Sequence, residues 1–218
     1  MTQHSPAAPV VGFDGSTALW DSIAEMENRE LVRRYRYSVG HFDDRVFELS
    51  DEQLDTAFAP EAGVGRWPAR VLLGHLADAE LVIAHRIRRA VAEPGAVLGL
   101  WDEDAFIDAG LYQSPGSGGA ALNGAPPPIG AFVGAIWTMR QWVGEWLGKL
   151  DESAWARTVM HPERGELAVR DLVIGNVWHL ENHAYWLNTK VERFLGPRPA
   201  GCGPQGCGTT GCACKPAE

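Results

Sequence analysis

Two histidines four residues apart, His179 and His183, stand in an otherwise apolar segment with helical periodicity. Side chains at that spacing share a helix face and lie ~5–6 Å apart. Each imidazole can therefore place a nitrogen ~2.0–2.1 Å from one divalent metal ion. Such pairs also arise by chance, and a histidine on an apolar face is often only a hydrogen-bonded structural residue. The spacing alone leaves a metal site and a structural role both open.

Amide side chains beside the pair favour the metal interpretation. Asn176 and Asn182 each lie three residues from His179 on nearly the same helix face, and tryptophans and leucines surround them. Polar groups buried in such surroundings cost several kcal/mol unless they are hydrogen-bonded. A metal site with hydrogen-bonded supports would satisfy them, which strengthens the prediction of a metal centre.

A second polar strip lies in the segment GHLADAE, where His75 and Asp78 are three residues apart and share a helix face. Two facing helices of a bundle can bring His75, His179 and His183 together. Three neutral imidazoles with open coordination positions are typical of catalytic metal sites. Asp78 is then predicted to act as a general base, to orient a ligand imidazole, or to coordinate the metal itself.

An open metal site suggests two kinds of reaction. It can lower the pKa of a bound water to about 7 for hydrolysis, or it can hold a thiol as thiolate. No serine or cysteine in the helical region has the setting of a nucleophile, so the nucleophile is expected to be a water or thiol activated by the metal.

Glu27 is a less favoured candidate base and otherwise a surface carboxylate. His161, in the turn segment HPERGE, lies where it can cover the site, whereas His85 is expected to point away from His75 and His41 to lie at the surface.

Four long segments with helical periodicity must position these side chains. They are Ser16 or Thr17 to about Leu49, PARVLLGHLADAELVIAHRIRRAVAE, AFVGAIWTMRQWVGEWLGKL, and Arg170 to about Leu195. Shorter helices are predicted in SDEQLDTAF, which opens with a capping box, and in LGLWDEDAFIDAGLY; Gln113 to Gly130 is a Pro/Gly-rich loop. No segment alternates like a strand over a useful length. The predicted fold class is all-α, a four-helix bundle.

Composition sets the limits of this picture. The chain has 218 residues, of which 45% are hydrophobic, enough for one sizeable core. One bundle domain is predicted at residues 16–196, between a disordered arm (1–15) and a Gly/Cys-rich tail (197–218).

The net charge is −9 and there is no basic block, which argues against nucleic acid and anionic membrane as partners. Arg86, Arg88 and Arg89 are expected on a solvated helix face, and Trp137, Trp142 and Trp146 in the core. The first residues lack the pattern of a signal peptide, and no apolar run approaches the ~20 residues of a membrane span. A soluble, cytoplasmic protein is therefore expected.

All four cysteines lie in the tail, in three copies of a Gly-Cys-Gly/Ala-x-x repeat: Cys202, Cys207, Cys212 and Cys214. This spacing is not the C-x-x-C pairing of a zinc ribbon or a thioredoxin motif. Three interpretations stay open: a second site for a soft metal ion, a redox-sensitive appendage, or a disordered extension that happens to carry cysteine.

The segments GRWPARVLLGHLADAELVIAHRIRRAVAE, WDEDAF and HPERGELAVRDLVIGNVWHLENHAYWL follow one another in the chain. They contain, in order, a tryptophan-containing turn, a G-H-L-x-D-x-E helix, an H-P-x-x-G turn and a late H-x-x-x-H helix. In this order and spacing the chain resembles the DinB/YfiT-like family, from about Ser16 to Leu195. The resemblance implies a four-helix bundle, a divalent metal (zinc, nickel or iron) held by His75, His179 and His183, and a homodimer.

Activities described in that family imply the first functional hypothesis. It is a metal-dependent enzyme with a small-molecule substrate, in which S-transfer to a low-molecular-weight thiol ranks slightly ahead of hydrolysis. The alternative is a non-catalytic metal-binding or stress-linked protein, whose histidine site and cysteine tail buffer or transfer metal. A third hypothesis treats the histidines as purely structural.

Overall fold

Eight α-helices, three short 3₁₀-helices and one β-hairpin make up residues 15–112 and 125–198, the part of the chain that this computed structural model describes. The α-helices are α1 (Ser16–Ala24), α2 (Asn28–Tyr37), α3 (Asp51–Leu54), α4 (Ala69–Ala92), α5 (Glu103–Asp108), α6 (Ile129–Leu147), α7 (Glu152–Trp155) and α8 (Val169–Leu195). The 3₁₀-helices are Ser38–His41, Asp44–Glu48 and Pro60–Ala62. The hairpin pairs β1 (Thr158–His161) with antiparallel β2 (Gly165–Ala168). Within these ranges, no helix is both long and apolar enough to cross a membrane.

The bundle consists of α2, α4, α6 and α8, and α1 packs against α8. Both α2 and α4 contact α6 and α8, so α2 and α4 lie on one diagonal of the bundle and α6 and α8 on the other. The predicted four-helix bundle is confirmed. Its two longest helices, α4 and α8, are neighbours, so residues from both can meet in one site.

The last three long helices lie close to where the sequence predicts them. Pro68 precedes α4 and Pro128 precedes α6, because proline suits a helix start, where its missing N–H is not needed. Gly196 ends α8 with a φ of 78°, a conformation that glycine adopts without strain. The predicted capping box is also present, since Ser50 and Gln53 bond reciprocally at α3.

The prediction of one continuous first helix to about Leu49 is wrong. The backbone is extended at Glu27, with a ψ of 151°, which separates α1 from α2. After α2 the chain continues as two 3₁₀-helices, and at Asp43 it is extended again. The break is stabilised from α8, whose Asn188 side chain accepts a hydrogen bond from the Asp43 backbone N–H at 2.7 Å. It allows Val46 and Leu49 to pack in the apolar cluster that includes residues of α4 and α8.

The absence of strands is also a wrong prediction, although the turn in HPERGE is observed. The hairpin escapes notice because each strand has only four residues, too few for an alternating pattern to stand out. Gly165 has a φ of 73°, which the tight turn requires. The hairpin is tied to the segment after α4, where the Leu98 N–H donates to the Met160 carbonyl at 2.9 Å.

The predicted core position is wrong for two of the three tryptophans on α6. Trp137 is 43% exposed and Trp142 is 55% exposed, whereas Trp146 packs partly buried against the main core cluster. The guanidinium of Arg88 lies 4.6 Å from the Trp142 ring centroid and 5.2 Å from that of Trp146. The Arg88 side chain thus makes cation–π contacts with the exposed Trp142 ring and the partly buried Trp146 ring.

A buried polar network joins the four bundle helices. The Arg140 guanidinium donates to Glu80 at 2.8 Å, to Asn176 at 2.5 Å and to Ser38 at 2.5 Å. The Tyr35 hydroxyl donates to the second Glu80 oxygen at 2.6 Å. Asn176, which the sequence suggests as a support of the metal site, is therefore satisfied by this network instead.

Candidate metal centre

The structure brings His75 of α4 together with His179 and His183 of α8. His75 is 1% exposed, because α8 and the residues after α4 cover its face of the helix. One ring nitrogen from each of the three histidines lies within 4.8 Å of the other two. The juxtaposition follows from two features of the sequence, the i, i+4 spacing on α8 and the packing of α8 against α4.

The distances suit coordination of a single ion. The Nε2 atoms of His75 and His179 are 3.1 Å apart. Two ligands at ~2.0–2.1 Å from one metal in tetrahedral geometry are separated by about 3.3 Å. The imidazole centroids of His179 and His183 are 4.6 Å apart, and those of His75 and His183 are 5.1 Å apart. Three nitrogen donors thus face a common point.

The electrostatics keep all three imidazoles neutral. Burial lowers the pKa of His75 to about 4, with the Asp104 charge acting in the opposite direction. Burial lowers the pKa of His183 to about 3, helped by the charges of His75 and Lys190, and holds the pKa of His179 well below its ordinary value. Neutral imidazoles keep a free lone pair, which metal coordination requires.

The site passes a test of fit for a divalent cation. Among the described residues, Nδ1 of His75, Nδ1 of His183 and Oδ1 of Asn182 are buried without a hydrogen-bond partner. Buried polar atoms normally have partners, and exceptions need an explanation such as a missing ion or water. Three neutral nitrogen donors with further polar atoms beside them form a donor set that zinc, nickel or iron accepts.

Aromatic rings enclose the histidines. Trp67 stacks on His183 at 5.8 Å between centroids and lies 4.9 Å from His75. Trp101 also stacks on His75, with the ring centroids 5.6 Å apart. A cavity of about 630 Å³ opens beside them, and its wall includes Trp67, His179, Asn182, His183 and Trp186. The site is thus a shielded pocket with an entrance.

Glu103, at the start of α5, is a site residue that sequence reasoning missed. Its Oε2 lies 3.9 Å from Nδ1 of His75, and the side chain also lines the cavity. Burial raises the pKa of Glu103, and the neighbouring Asp104 charge adds to the effect. The only signal in the sequence is an acidic run after Trp101, which is equally typical of a solvated helix start.

Lys190 is a second residue that the sequence does not single out. It is 1% exposed, lies seven residues after His183 on α8, and lines the same cavity. Its ammonium donates to the carbonyls of Val64 and, at 3.3 Å, Trp186. Burial lowers the pKa of Lys190 to about 8. The ammonium holds the turn that carries Gly65 and Trp67 against α8.

The other candidate residues are distributed as follows. Asp78 accepts a 2.5 Å hydrogen bond from the Tyr112 hydroxyl and does not bond to His75, so its catalytic role stays a prediction. Glu27 is exposed just before α2, and His41 and His85 are exposed as expected. His161 is buried and lines a neighbouring cavity with His179. The four cysteines, most of the N-terminal arm, and residues 113–124 of the Pro/Gly-rich loop lie outside the described residues.

Comparison with known proteins relates this chain to a family of helical proteins. A protein of Oceanobacillus iheyensis, named as a presumed metal-dependent hydrolase, is 25% identical over 148 residues, covering 68% of this chain and 76% of the relative. The structure of YfiT from Bacillus subtilis, described as a probable metal-dependent hydrolase with an unusual four-helix bundle topology, matches with a TM-score of 0.56. That match has 16% identity over 90% of this chain and 95% of YfiT, a likeness of fold. The sequence model of the DinB superfamily matches residues 34–187, well over half of the chain, and the protein belongs to that superfamily.

Proposed function

We propose that this protein is a metal-dependent hydrolase in which His75, His179 and His183 hold one divalent cation. The observation that carries the proposal is the convergence of three shielded, neutral imidazoles, of which those of His179 and His183 line a cavity. The names of the relatives support hydrolysis. The cavity volume of about 630 Å³ falls within the ~300–1,000 Å³ of small-molecule sites, which supports a small-molecule substrate.

A bound divalent cation supplies Lewis acidity to a substrate oxygen and to water. The chain's own residues supply the rest. Glu103 is the carboxylate at the cavity wall, where it can accept a proton from water or substrate. The rings of Trp67 and Trp101 both pack against His75 and limit the access of bulk water. S-transfer to a thiol and homodimer formation stay predictions.

Metal content is the direct test, measured by elemental mass spectrometry on the full-length protein. We expect about one divalent ion per chain, both in the natural sequence and in a variant with all four tail cysteines changed to serine. His75→Ala, His179→Ala and His183→Ala should each lose most of the metal. The control is His85→Ala, which removes an exposed imidazole from α4 and should leave metal content unchanged.

The same set of variants separates the competing hypotheses. Circular dichroism and thermal unfolding show whether each variant is folded, so that loss of metal is not confused with loss of structure. Metal that leaves with the cysteines but survives His183→Ala would contradict the proposal. Turnover of ester, amide and phosphoester substrates, with and without an added thiol, then distinguishes hydrolysis from S-transfer.

A further inference from the structure

A second cavity, of about 180 Å³, lies next to the metal centre. Trp178 and His179 line both cavities, so the two cavities are neighbours. Its volume is below the ~300–1,000 Å³ of pockets that hold whole small molecules. It has room for one chemical group of a larger ligand.

Two guanidinium groups line this small cavity without forming an ion pair. Arg86 extends from α4, and Arg164 from the turn between β1 and β2. Within residues 15–112 and 125–198, no carboxylate oxygen lies within 4.0 Å of a guanidinium nitrogen of Arg86 or Arg164. The solvated helix face predicted for Arg86 is therefore wrong, since this side chain is partly buried against the cavity.

Three other arginines that are partly or fully buried are each paired with a carboxylate. Arg34 lies 2.7 Å from Glu181, Arg70 lies 2.7 Å from Asp55, and Arg140 lies 2.8 Å from Glu80. Arg86 is partly buried and has no carboxylate partner, and an unpaired charge that is partly desolvated is costly. Burial and the charge of Arg164 lower the pKa of Arg86, with the Glu163 charge acting in the opposite direction. Burial also lowers the pKa of Arg164, against the charge of Asp171. The pair is thus under repulsion that a bound anion would relieve.

His161 adds a hydrogen-bond donor to the same cavity. Its Nδ1 accepts from the backbone N–H groups of Glu163 at 3.2 Å and Arg164 at 3.3 Å. A neutral imidazole that accepts at Nδ1 carries its proton at Nε2, and the ring can donate only there. Burial, together with the charges of Arg86 and Arg164, lowers the pKa of His161, which keeps the ring neutral.

The remaining wall is apolar and open at one point. Trp20, Ile83, Leu167 and Leu172 line it, and a Cβ atom built on Gly175 would meet no atom within 4 Å. Two planar guanidiniums and one N–H donor suit a carboxylate or phosphate, whose oxygens accept in pairs from arginine. In a protein with a net charge of −9, these cations form a local exception.

We propose that the cavity lined by Arg86, His161 and Arg164 binds an anionic group, carboxylate or phosphate, of the substrate, and so directs the enzyme toward anionic small molecules. The link to substrate rests on the proposed function, whereas anion binding itself does not. Because Trp178 and His179 line both cavities, an anion held here places its molecule next to His179.

Anion binding is tested by NMR on the ¹⁵N-labelled full-length protein, through the arginine Nε–H signals. Inorganic phosphate and benzoate are the probes, and benzamide is the neutral counterpart of benzoate. We expect saturable shifts of the Arg86 and Arg164 signals with phosphate, benzoate or both, which also tells the two anion types apart. Benzamide should leave these signals unchanged.

Substitutions of the two arginines test which side chains bind the anion. Arg164→Gln, at an exposed turn, should weaken anion binding roughly tenfold or more, as expected for a lost charged hydrogen bond. Arg86→Gln should do the same, although it also removes a 2.8 Å bond to the Gly99 carbonyl and needs a folding check. The control is Arg193→Gln, an exposed arginine on α8 outside the cavity, which should bind as the natural protein does.

Failure of this inference differs from failure of the proposed function. His183 lines only the larger cavity, so His183→Ala should lose metal yet still bind anions. Arg164→Gln should show the reverse, with full metal content and weakened anion binding. If neither anion shifts the Arg86 and Arg164 signals, or if Arg164→Gln binds as tightly as the natural protein, the anion site is refuted whatever the metal content.

Discussion

A carboxylate 28 positions further along the chain lies beside His75. Glu103 lies 3.9 Å from the Nδ1 atom of His75, just outside hydrogen-bond distance, while the Nε2 atom of His75 faces His179. A ligand imidazole commonly donates its second N–H to a carboxylate, which fixes the ring and makes it a stronger donor to metal. Glu103 is positioned to take this role when Nε2 is engaged.

We therefore expect Glu103→Gln to bind zinc roughly 10–100-fold more weakly than the natural protein. The amide keeps the size of the side chain but removes the charge that favours the Nδ1–H form of His75. The measurement is competition for zinc against a chromophoric chelator at fixed pH.

The control for Glu103 is Asp108→Asn, which removes an exposed carboxylate at the other end of α5. It changes the net charge equally, so any effect of overall charge appears in both variants. Equal zinc affinity in Glu103→Gln and the natural protein would show that this carboxylate does not support His75.

At the residue scale, the sequence predicts side chains that share an element and misses those that meet across segments. His179 and His183 reveal themselves by spacing on one helix, and His75 by the polar strip it forms with Asp78. Glu103 and Arg164 give no such signal, because each lies in a short polar segment whose position depends on how the chain folds back on the bundle. Their roles come from tertiary packing alone.

At the scale of elements, the network centred on Arg140 joins helices that are distant in the chain. Glu80 of α4 accepts hydrogen bonds from both Arg140 of α6 and Tyr35 of α2, and Arg140 also donates to Asn176 of α8. Because Arg140 is fully buried, its charge depends on these partners. The network lies one turn before His179, so it also fixes the rotation of α8 at the metal centre.

We expect Glu80→Ala to lower the free energy of unfolding by about 3–5 kcal/mol, because it leaves a buried guanidinium without its carboxylate. Urea-induced unfolding followed by circular dichroism gives this value.

The matched change for Glu80 is Glu145→Ala on α6, where the exposed carboxylate pairs with Lys149 at 3.0 Å. An exposed pair of this kind is worth about 0–1 kcal/mol. If the two variants lose similar stability, the network contributes no more than a surface ion pair.

Helix signals were sufficient for α4, α6 and α8. Periodicity marks all three segments, a proline precedes α4 and α6, and a glycine follows the last turn of α8. They failed between α1 and the residues that follow α2. Nothing local in EMENRE forbids a continuous helix, and the break there instead allows later residues to reach the core. The hairpin was missed because its strands are short and its backbone bonds to the segment after α4, a partner that sequence does not identify.

At the scale of the whole molecule, Asp43 links an early segment to the end of the last helix. Arg45 donates to its carboxylate at 2.7 Å, Arg198 does so at 2.6 Å, and Asn188 accepts from its backbone N–H. The Arg45 guanidinium, helped by the Arg45 backbone N–H and Arg198, lowers the pKa of Asp43 to about 2. Residues more than 140 positions apart are thereby held together.

This linkage predicts a pH dependence of stability. The pKa of Asp43 is lower in the folded chain than the ordinary value of 3.8, so its contribution is complete above about pH 5 and is lost as the pH falls toward 2. Ionised Asp43 adds about 2 kcal/mol to the free energy of unfolding at neutral pH, and roughly half of this is lost by pH 3. Urea unfolding at a series of pH values between 6 and 3 measures it.

Asp43→Asn should show a correspondingly shallower loss of stability over this range, since its amide does not titrate. Asp21→Asn, at an exposed position on α1, should follow the natural protein. A pH profile that Asp43→Asn leaves unaltered would mean that other carboxylates account for the acid sensitivity.

The hairpin after α7 has a consequence for how new specificities arise in this protein. The three histidines stand on two long helices whose packing tolerates little change, whereas Arg164 stands on a three-residue turn at the surface. Under the proposed anion binding, mutations in that turn replace one recognition group by another without disturbing the histidines. Selection, in nature or in the laboratory, can therefore alter which molecules are accepted while the reactive centre is inherited unchanged.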